Sequence, residues 1–113
     1  RGLGDVYKRQ HVLDASTGTP AAGIEVVLRA AGTGGVIDRG TTDADGRLAL
    51  GPDSLDPDEY DLVFVTQPYF TSRAVEAFYP RVTLTFTIPS GPHRHYHVPL
   101  LLSPFAYSTY RGS

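Results

Sequence analysis

Turn residues punctuate this sequence at nearly regular intervals. Clusters of Gly, Pro, Asp and Ser recur about every 8–12 positions, and the runs between them are rich in aliphatic, threonine and aromatic residues. Runs of that length and composition form β-strands, and strands joined by short turns at even spacing are typical of a sandwich or a barrel. The sequence therefore predicts an all-β fold.

Eight runs are predicted strands, and one further segment is predicted to be helical. The predicted strands are residues 10–14, 24–30, 36–41, 47–50, 59–66, 82–88, 95–103 and 105–111. The clearest is Val82–Ile88, in which apolar residues alternate with threonine. Residues 69–77 lack that alternation, and Phe70, Ala74 and Ala77 have helical spacing, which predicts one short helix.

Length and composition narrow the class of protein. The chain has 113 residues, which predicts a single domain. It has no cysteine, so neither a disulfide framework nor a thiolate metal site can form. The formal net charge of -2 gives no basic surface for nucleic acid, and no apolar run approaches the ~20 residues of a membrane span. We expect no nucleic-acid partner and no membrane partner.

The first residues do not share the pattern of the rest. Residues 1–10 carry neither a long apolar stretch nor the small-residue cleavage site of a signal peptide. Sandwich-like alternation begins near His11, so we expect residues 1–9 to be a non-native or disordered extension and residues 10–113 to form the domain. The expected location is the cytoplasm, with the periplasm as the alternative because the native N-terminus is not visible.

The first half of the chain carries two turn motifs. They are V-L-D-x-x-x-G-x-P-A-x-G at Val12–Gly23 and T-D-x-D-G-R-L at Thr42–Leu48. Turns need the same Gly, Pro and Asp residues wherever they occur, so these motifs are weakly specific. They resemble several sandwich modules, including adhesion and carboxypeptidase-associated domains of the transthyretin type.

The second half is far more specific. It contains F-Y-P-x-V at Phe78–Val82, H-Y-H-V-P-L-L-L-S-P at His95–Pro104, and Y-R-G-S at Tyr110–Ser113. In this order the motifs resemble the 5-hydroxyisourate hydrolase branch of the transthyretin family, from His11 to the last residue. The resemblance implies an eight-stranded β-sandwich of two four-stranded sheets with one short helix. It also implies a homotetramer, a dimer of dimers, with active sites between subunits in a central channel.

The resemblance also implies an activity and a set of site residues. The expected reaction converts 5-hydroxyisourate, a purine-derived small molecule, to 2-oxo-4-hydroxy-4-carboxy-5-ureidoimidazoline in urate catabolism, with no cofactor and no metal. Family members use residues matched here by His11, Arg47, His97 and Ser113 for catalysis. Those matched by Arg47, Tyr110, Arg111, Gly112 and Ser113 contact the substrate.

These residue types suit the expected chemistry. Adding water to a ring acyl carbon needs a base for the water proton and a donor for the negative charge that develops on oxygen. Histidine titrates near neutral pH, and the arginine guanidinium donates parallel hydrogen bonds. His97 and His11 both qualify as the base, and the sequence does not choose between them.

The histidine strand also predicts an interface. In an extended segment 95–103, His95, His97, Pro99, Leu101 and Ser103 share one face, and the apolar Tyr96, Val98, Leu100 and Leu102 share the other. The second set is expected to face the core. The first set then faces outward although it is partly apolar, which indicates that it lines a protein–protein interface. Pro99 has no N–H, so a bulge or a local edge is expected there.

Each candidate residue has a simpler interpretation when it is taken alone. His11 and Arg47 would ordinarily be surface residues of a strand, and Asp43 is explained by turn chemistry. His95 and His97 would need further ligands to hold a metal, and no carboxylates stand nearby in the sequence. Two other functions remain as alternatives: a transthyretin-type carrier of a small ligand without catalysis, and a structural module of a larger secreted protein.

Overall fold

The protein is a sandwich of two β-sheets. The computed structural model describes residues 7–52, 55–91 and 95–112. In these ranges the elements are β1 (Tyr7–Asp14), β2 (Thr19–Pro20), β3 (Glu25–Ala30), β4 (Val36–Thr41), β5 (Arg47–Leu50), β6 (Asp58–Val65), α1 (Gln67–Thr71), β7 (Val82–Ile88), β8 (His95–Leu102) and β9 (Tyr107–Thr109). No helix in this part of the chain is long and apolar enough to cross a bilayer.

The sheets differ in how their strands pair. One is antiparallel throughout, in the order β4-β3-β6-β7. In the other, β1 lies parallel to β8, β8 pairs with β9, and the opposite edge of β1 is shared by β5 and β2. The predicted all-β sandwich is therefore confirmed. Four strands were predicted in each sheet. The structure has four in one sheet and five in the other, because the two-residue β2 pairs with the end of β1 beyond β5.

The core lies between the sheets and is built by strand alternation. Val12, Leu28, Leu62, Phe64 and Leu100 are fully buried there, and burying one such side chain contributes about 1.5–3 kcal/mol. The core face predicted for β8 is confirmed, whereas Pro99, predicted to face outward, is buried. The core-facing residues Tyr96, Leu100 and Leu102 are buried, and Val98 packs against the same core.

The helix prediction was wrong in its bounds. Residues 69–77 were expected to be helical, but α1 spans Gln67–Thr71. Pro68 lies in the first turn. A backbone N–H there has no acceptor within the helix, so a proline loses no hydrogen bond. Ala74 has a left-handed backbone with φ of 56°, so the helix cannot continue through it.

A buried hydrogen bond holds α1 against the end of β1. The Tyr69 hydroxyl donates to Asp14 Oδ2 over 2.8 Å, and Asp14 is only 2% exposed. Burial alone would raise the pKa of Asp14, but hydrogen bonds from Ser16, Tyr69 and Thr17 outweigh it and lower that pKa. Burial, followed by the bond to Asp14, raises the pKa of Tyr69 to about 12. At neutral pH the Asp14 carboxyl is therefore ionised and the Tyr69 hydroxyl keeps its proton, so the hydrogen bond is retained.

Two other elements, the first and the last strand, have boundaries that differ from the prediction by more than one residue. Residues 7–9 were assigned to an N-terminal extension, but they belong to β1, which begins at Tyr7; residues 1–6 lie outside the described ranges. The last strand was predicted over residues 105–111 and spans only Tyr107–Thr109.

The ladder beside Pro99 behaves as a local edge, as predicted. On the β1 side the pairing runs without a shift through His11 and Pro99. On the other side β9 pairs only with Leu100–Leu102. On the other side of Pro99 the chain pairs with β8 again. His97 forms a β-bridge with Gly112, in the same register as the pairs between β8 and β9. The missing N–H of Pro99 therefore falls in the interrupted part of the ladder.

Candidate active site

Three strands place basic side chains on one outer face of the five-stranded sheet. His11 of β1 is paired with Arg47 of β5, and the neighbouring row pairs Arg9 with His97 of β8. Paired residues project to the same face, and neighbouring rows on that face recur every second residue. His11 and Leu13 are half-buried, whereas Val12 between them is fully buried, which confirms the alternation. The predicted residues His11, Arg47 and His97 are thus brought together.

They line a small cavity of about 230 Å³. Its walls are formed by Arg9, Gln10, His11, Asp43, Arg47, Leu48, Ala49 and His97. These lining residues include one acidic residue, Asp43, and four basic residues, which are two arginines and two histidines. Positive side chains gathered in a concave site favour an anionic ligand, or negative charge that develops during a reaction.

The turn between β4 and β5 positions Arg47. The Asp43 carboxylate accepts a hydrogen bond of 2.9 Å from the backbone N–H of Arg47, and the backbone N–H of Asp43 donates to the Arg47 carbonyl over 2.9 Å. Gly46 has φ of 73°, and its carbonyl accepts a bond of 2.8 Å from the N–H of Val12. This bond ties the turn to β1, which keeps Arg47 opposite His11.

His97 lies in an environment that favours its neutral form. Burial lowers the pKa of His97, and the positive charges of His11, Arg47 and Arg9 lower it further. A lowered pKa keeps the imidazole neutral at neutral pH. A neutral imidazole can accept a proton from water.

The last described residues, 110–112, lie in two different surroundings. Gly112 lies against His97, and its N–H donates to the His97 carbonyl over 2.8 Å. Tyr110 and Arg111 instead line a second cleft, between β7 and β8, where the Arg111 guanidinium lies 5.3 Å from the centre of the Tyr96 ring. Ser113 lies outside the described residues, so its predicted role stays a prediction.

The second cleft is larger, about 590 Å³, but it is not the better candidate for catalysis. Its wall on β7 consists of residues 83–87, which alternate threonine with Leu84 and Phe86. Such side chains supply neither a base nor a strong charge. His97 lines both cavities, whereas His11 and Arg47 line only the smaller one, which we take as the candidate active site.

The described residues contain no group of three or more His, Cys, Asp or Glu side chains that could hold a metal. His93 and Arg94, which stand beside the histidine strand in the sequence, lie outside the described ranges.

Three polar residues of the cavity wall were not among the predicted site residues: Arg9, Gln10 and Asp43. Arg9 fell in the predicted extension, although it stands two positions before His11 and therefore on the same face of β1. Asp43 was attributed to turn chemistry, which is correct, but it also lines the cavity. Strand alternation could have found Arg9 once β1 was extended by one residue.

Comparisons with known proteins agree with this geometry. Residues 9–112 match the model of a family described as the HIUase/Transthyretin family. A Salmonella typhimurium protein named 5-hydroxyisourate hydrolase is 47% identical, over 91% of this chain and 78% of the relative. The solved structure of Klebsiella pneumoniae 5-hydroxyisourate hydrolase has a TM-score of 0.85 at 34% identity, covering 95% of this chain and 99% of that one. The structure of transthyretin from Sparus aurata has a TM-score of 0.83 at 30% identity, covering 93% and 95%.

Proposed function

Because the chain belongs to the HIUase/Transthyretin family, we propose that it hydrolyses 5-hydroxyisourate to 2-oxo-4-hydroxy-4-carboxy-5-ureidoimidazoline in urate catabolism. The observation that carries the proposal is the meeting of His11, Arg47 and His97 in one cavity, on three strands that are far apart in the sequence. A base and a positive donor in one concave site are what acyl hydrolysis requires.

The arrangement suggests a division of work between the side chains. Neutral His97 takes a proton from water while the water oxygen bonds to the ring acyl carbon. The oxygen of that carbonyl becomes negative and is held by Arg47. Collapse of the tetrahedral species breaks the ring carbon–nitrogen bond, and the proton on His97 passes to the leaving nitrogen. A positioned base contributes about 10²–10⁴-fold and one oxyanion donor about 10²–10³-fold.

The remaining predicted residues complete the proposal. His11 stands beside Arg47 and is the second imidazole within reach of the substrate. Tyr110, Arg111, Gly112 and Ser113 are proposed to contact the substrate, as the family resemblance implies. Ser113 would add a hydroxyl.

The fold alone does not separate this function from that of a transthyretin-type carrier. The hydrolase and transthyretin structures resemble this chain almost equally, with TM-scores of 0.85 and 0.83. What favours hydrolysis is the pair of imidazoles beside a guanidinium, because a carrier of a small ligand needs no base.

We further propose that the working form is a homotetramer, a dimer of dimers. The sheet face that carries the site also presents Leu13 and Leu101, two half-buried leucines paired across β1 and β8. Elsewhere, Phe78 before β7 and Phe105 between β8 and β9 are exposed at 70% and 62%, and a backbone hydrogen bond from Phe78 to Pro104 joins their two segments. Apolar groups at these two places give each subunit two surfaces suited to contacts with other copies.

The test is an absorbance assay in which urate and urate oxidase generate the unstable intermediate. We expect the protein to accelerate its decay above the spontaneous rate. His97→Asn, His11→Asn and Arg47→Ala should each lower kcat/KM by about 10²-fold or more. Arg39→Ala, at an exposed arginine of the other sheet, is the matched control and should leave the rate unchanged.

Two outcomes would decide against the proposal. No acceleration by the unaltered protein favours the carrier. Acceleration that survives all three substitutions places the chemistry elsewhere. If the low-pH limb of the rate profile is kept in His11→Asn and lost in His97→Asn, His97 is the base.

A further inference from the structure

We propose that Gly112 is a positioning residue for His97: the absence of a side chain at position 112 leaves the space that the imidazole occupies. The proposal names a role for Gly112 distinct from contact with substrate. Its kinetic consequence rests on the proposed hydrolase function, but its structural consequence does not.

The backbone register places Gly112 opposite His97. β9 pairs with Leu100–Leu102, and after the interruption at Pro99 the same register brings Gly112 against His97. A hydrogen bond of 2.8 Å from the Gly112 N–H to the His97 carbonyl fixes the contact. Since directly paired residues project to the same face, any side chain at 112 would point where the imidazole points.

The space there is already full. A Cβ atom built on Gly112 would lie 2.8 Å from His97 Cγ and 3.1 Å from His97 Cβ, and it would lie closer still to Nδ1. Facing Cβ atoms in a regular strand pair stand about 4.5–5.5 Å apart. The His97 Cβ cannot be moved by rotating its own side chain, so relief requires a shift of the ring and of the backbone at one of the two positions.

Space, rather than backbone conformation, is the reason for glycine here. Other glycines of the chain, such as Gly46 and Gly91, have φ of 73° and 121°, which disfavour other residues in any surroundings. Gly112 is not among the positive-φ glycines. An alanine at 112 is therefore tolerated by its own backbone and excluded by His97.

The contact also determines which edge of the imidazole is available. Nδ1 is the ring nitrogen nearest Gly112, which leaves Nε2, on the opposite edge of the ring, to meet water or substrate. Displacing the ring would move Nε2 relative to Arg47 and His11. An error of about 1 Å in such a group can cost about 10²-fold in rate.

The experiment compares Gly112→Ala with Gly32→Ala. Gly32 is exposed, has no positive φ, and has nothing within 4 Å of an added Cβ, so its substitution controls for a glycine-to-alanine change as such. We expect Gly112→Ala to lower kcat about 10²-fold with a smaller change in KM, and Gly32→Ala to behave as the unaltered protein. In the background of His97→Asn, Gly112→Ala should cause almost no further loss, because the two substitutions act on one group.

A second readout needs no substrate. The imidazole signals of His97 are followed by NMR through a pH titration and assigned by their loss in His97→Asn. Gly112→Ala should shift these signals and move the His97 titration, whereas Gly32→Ala should not. A chain ending at Arg111 should move the His97 titration toward the ordinary histidine value, since it uncovers the ring while Arg9, His11 and Arg47 are retained.

The outcomes separate this inference from the proposed function. Unchanged His97 signals in both Gly112→Ala and the shortened chain would overturn the positioning role. Equal losses from Gly112→Ala with and without His97 would also overturn it. If the signals move but the unaltered protein hydrolyses nothing, the positioning role stands and the proposed function fails.

Discussion

At the scale of single residues, the site depends on how charges surround His97. Its ring is partly removed from water and faces Arg9, His11 and Arg47, and these causes act in the same direction. The sequence could supply three of the basic residues through the family resemblance, but it could not supply the lowered pKa. That property depends on burial and on charges from distant parts of the chain.

Arg47→Gln should raise the pKa of His97, because it removes one of the positive charges that lower it. Neutral His97 would then become protonated at a higher pH than in the unaltered protein. The measurement is the NMR titration of the His97 ring. Arg47→Lys keeps the charge and is the control; a similar upward shift in the lysine variant would show that charge is not the cause.

Gln10 is a buried polar residue, two positions before the core residue Val12 of β1. It is 1% exposed, and among the described residues neither its Nε2 nor its Oε1 has a hydrogen-bond partner. A buried polar group without a partner costs about 1–3 kcal/mol, so Gln10→Val should raise the free energy of unfolding by about that amount. Urea denaturation would measure it. Gln67→Val, at an exposed glutamine, should change stability by no more than about 0.5 kcal/mol; an equal gain there would contradict this explanation.

At the scale of elements, the strands and the presence of one short helix were predictable, but the bounds of the helix were not. Val82–Ile88 and Arg47–Leu50 have the predicted bounds, because alternation and flanking turns mark them in the sequence. In α1, the contacts of Tyr69 with Asp14 decide where the helix lies, and the left-handed Ala74 decides that it cannot continue. Neither is a local property of residues 69–77, so helical spacing alone placed the end too late.

Tyr69→Phe should loosen α1 from β1. It leaves Asp14 Oδ2 buried without its hydroxyl donor, which costs about 1–3 kcal/mol. Because the pKa of Asp14 is lowered below 3.8 in the folded protein, the stabilisation is present above 3.8 and is lost as pH falls through the lowered value. The difference in free energy of unfolding between the two proteins should therefore shrink in acid. Urea denaturation at neutral pH and at about pH 3 would measure it. Tyr107→Phe, on an exposed ring, is the control; a loss independent of pH would contradict the role of Asp14.

At the scale of the whole molecule, one sheet face carries both the candidate site and an apolar surface. Leu13 and Leu101 lie beside the rows that contain His11 and His97. The partly apolar outer face of β8 could be predicted from the sequence, because Tyr96 and the residues that alternate with it form the core face. Which surfaces meet in an assembly is a property of several copies together, and strand alternation in one chain does not specify it.

Leu101→Arg should separate the proposed tetramer into smaller species, because a charge on this face would have to be buried between subunits. It should lower hydrolysis as well, since the site lies on the same face. Light scattering after size-exclusion chromatography measures the assembly. Val36→Arg, at a valine 53% exposed on the other sheet, should leave the assembly intact. An unchanged mass for Leu101→Arg would place the contact elsewhere.

The parallel pairing of β1 with β8 has a consequence for synthesis on the ribosome. β1 is made early, yet its longest partner, beginning at the pair of Tyr7 with His95, is made late. Until β8 emerges, β1 keeps an open edge that hairpin partners nearby in sequence do not cover, and contacts between distant segments form slowly. The cavity lined by His11, Arg47 and His97 therefore cannot form until β8 has been synthesised, and until then the open edge of β1 can pair with other chains.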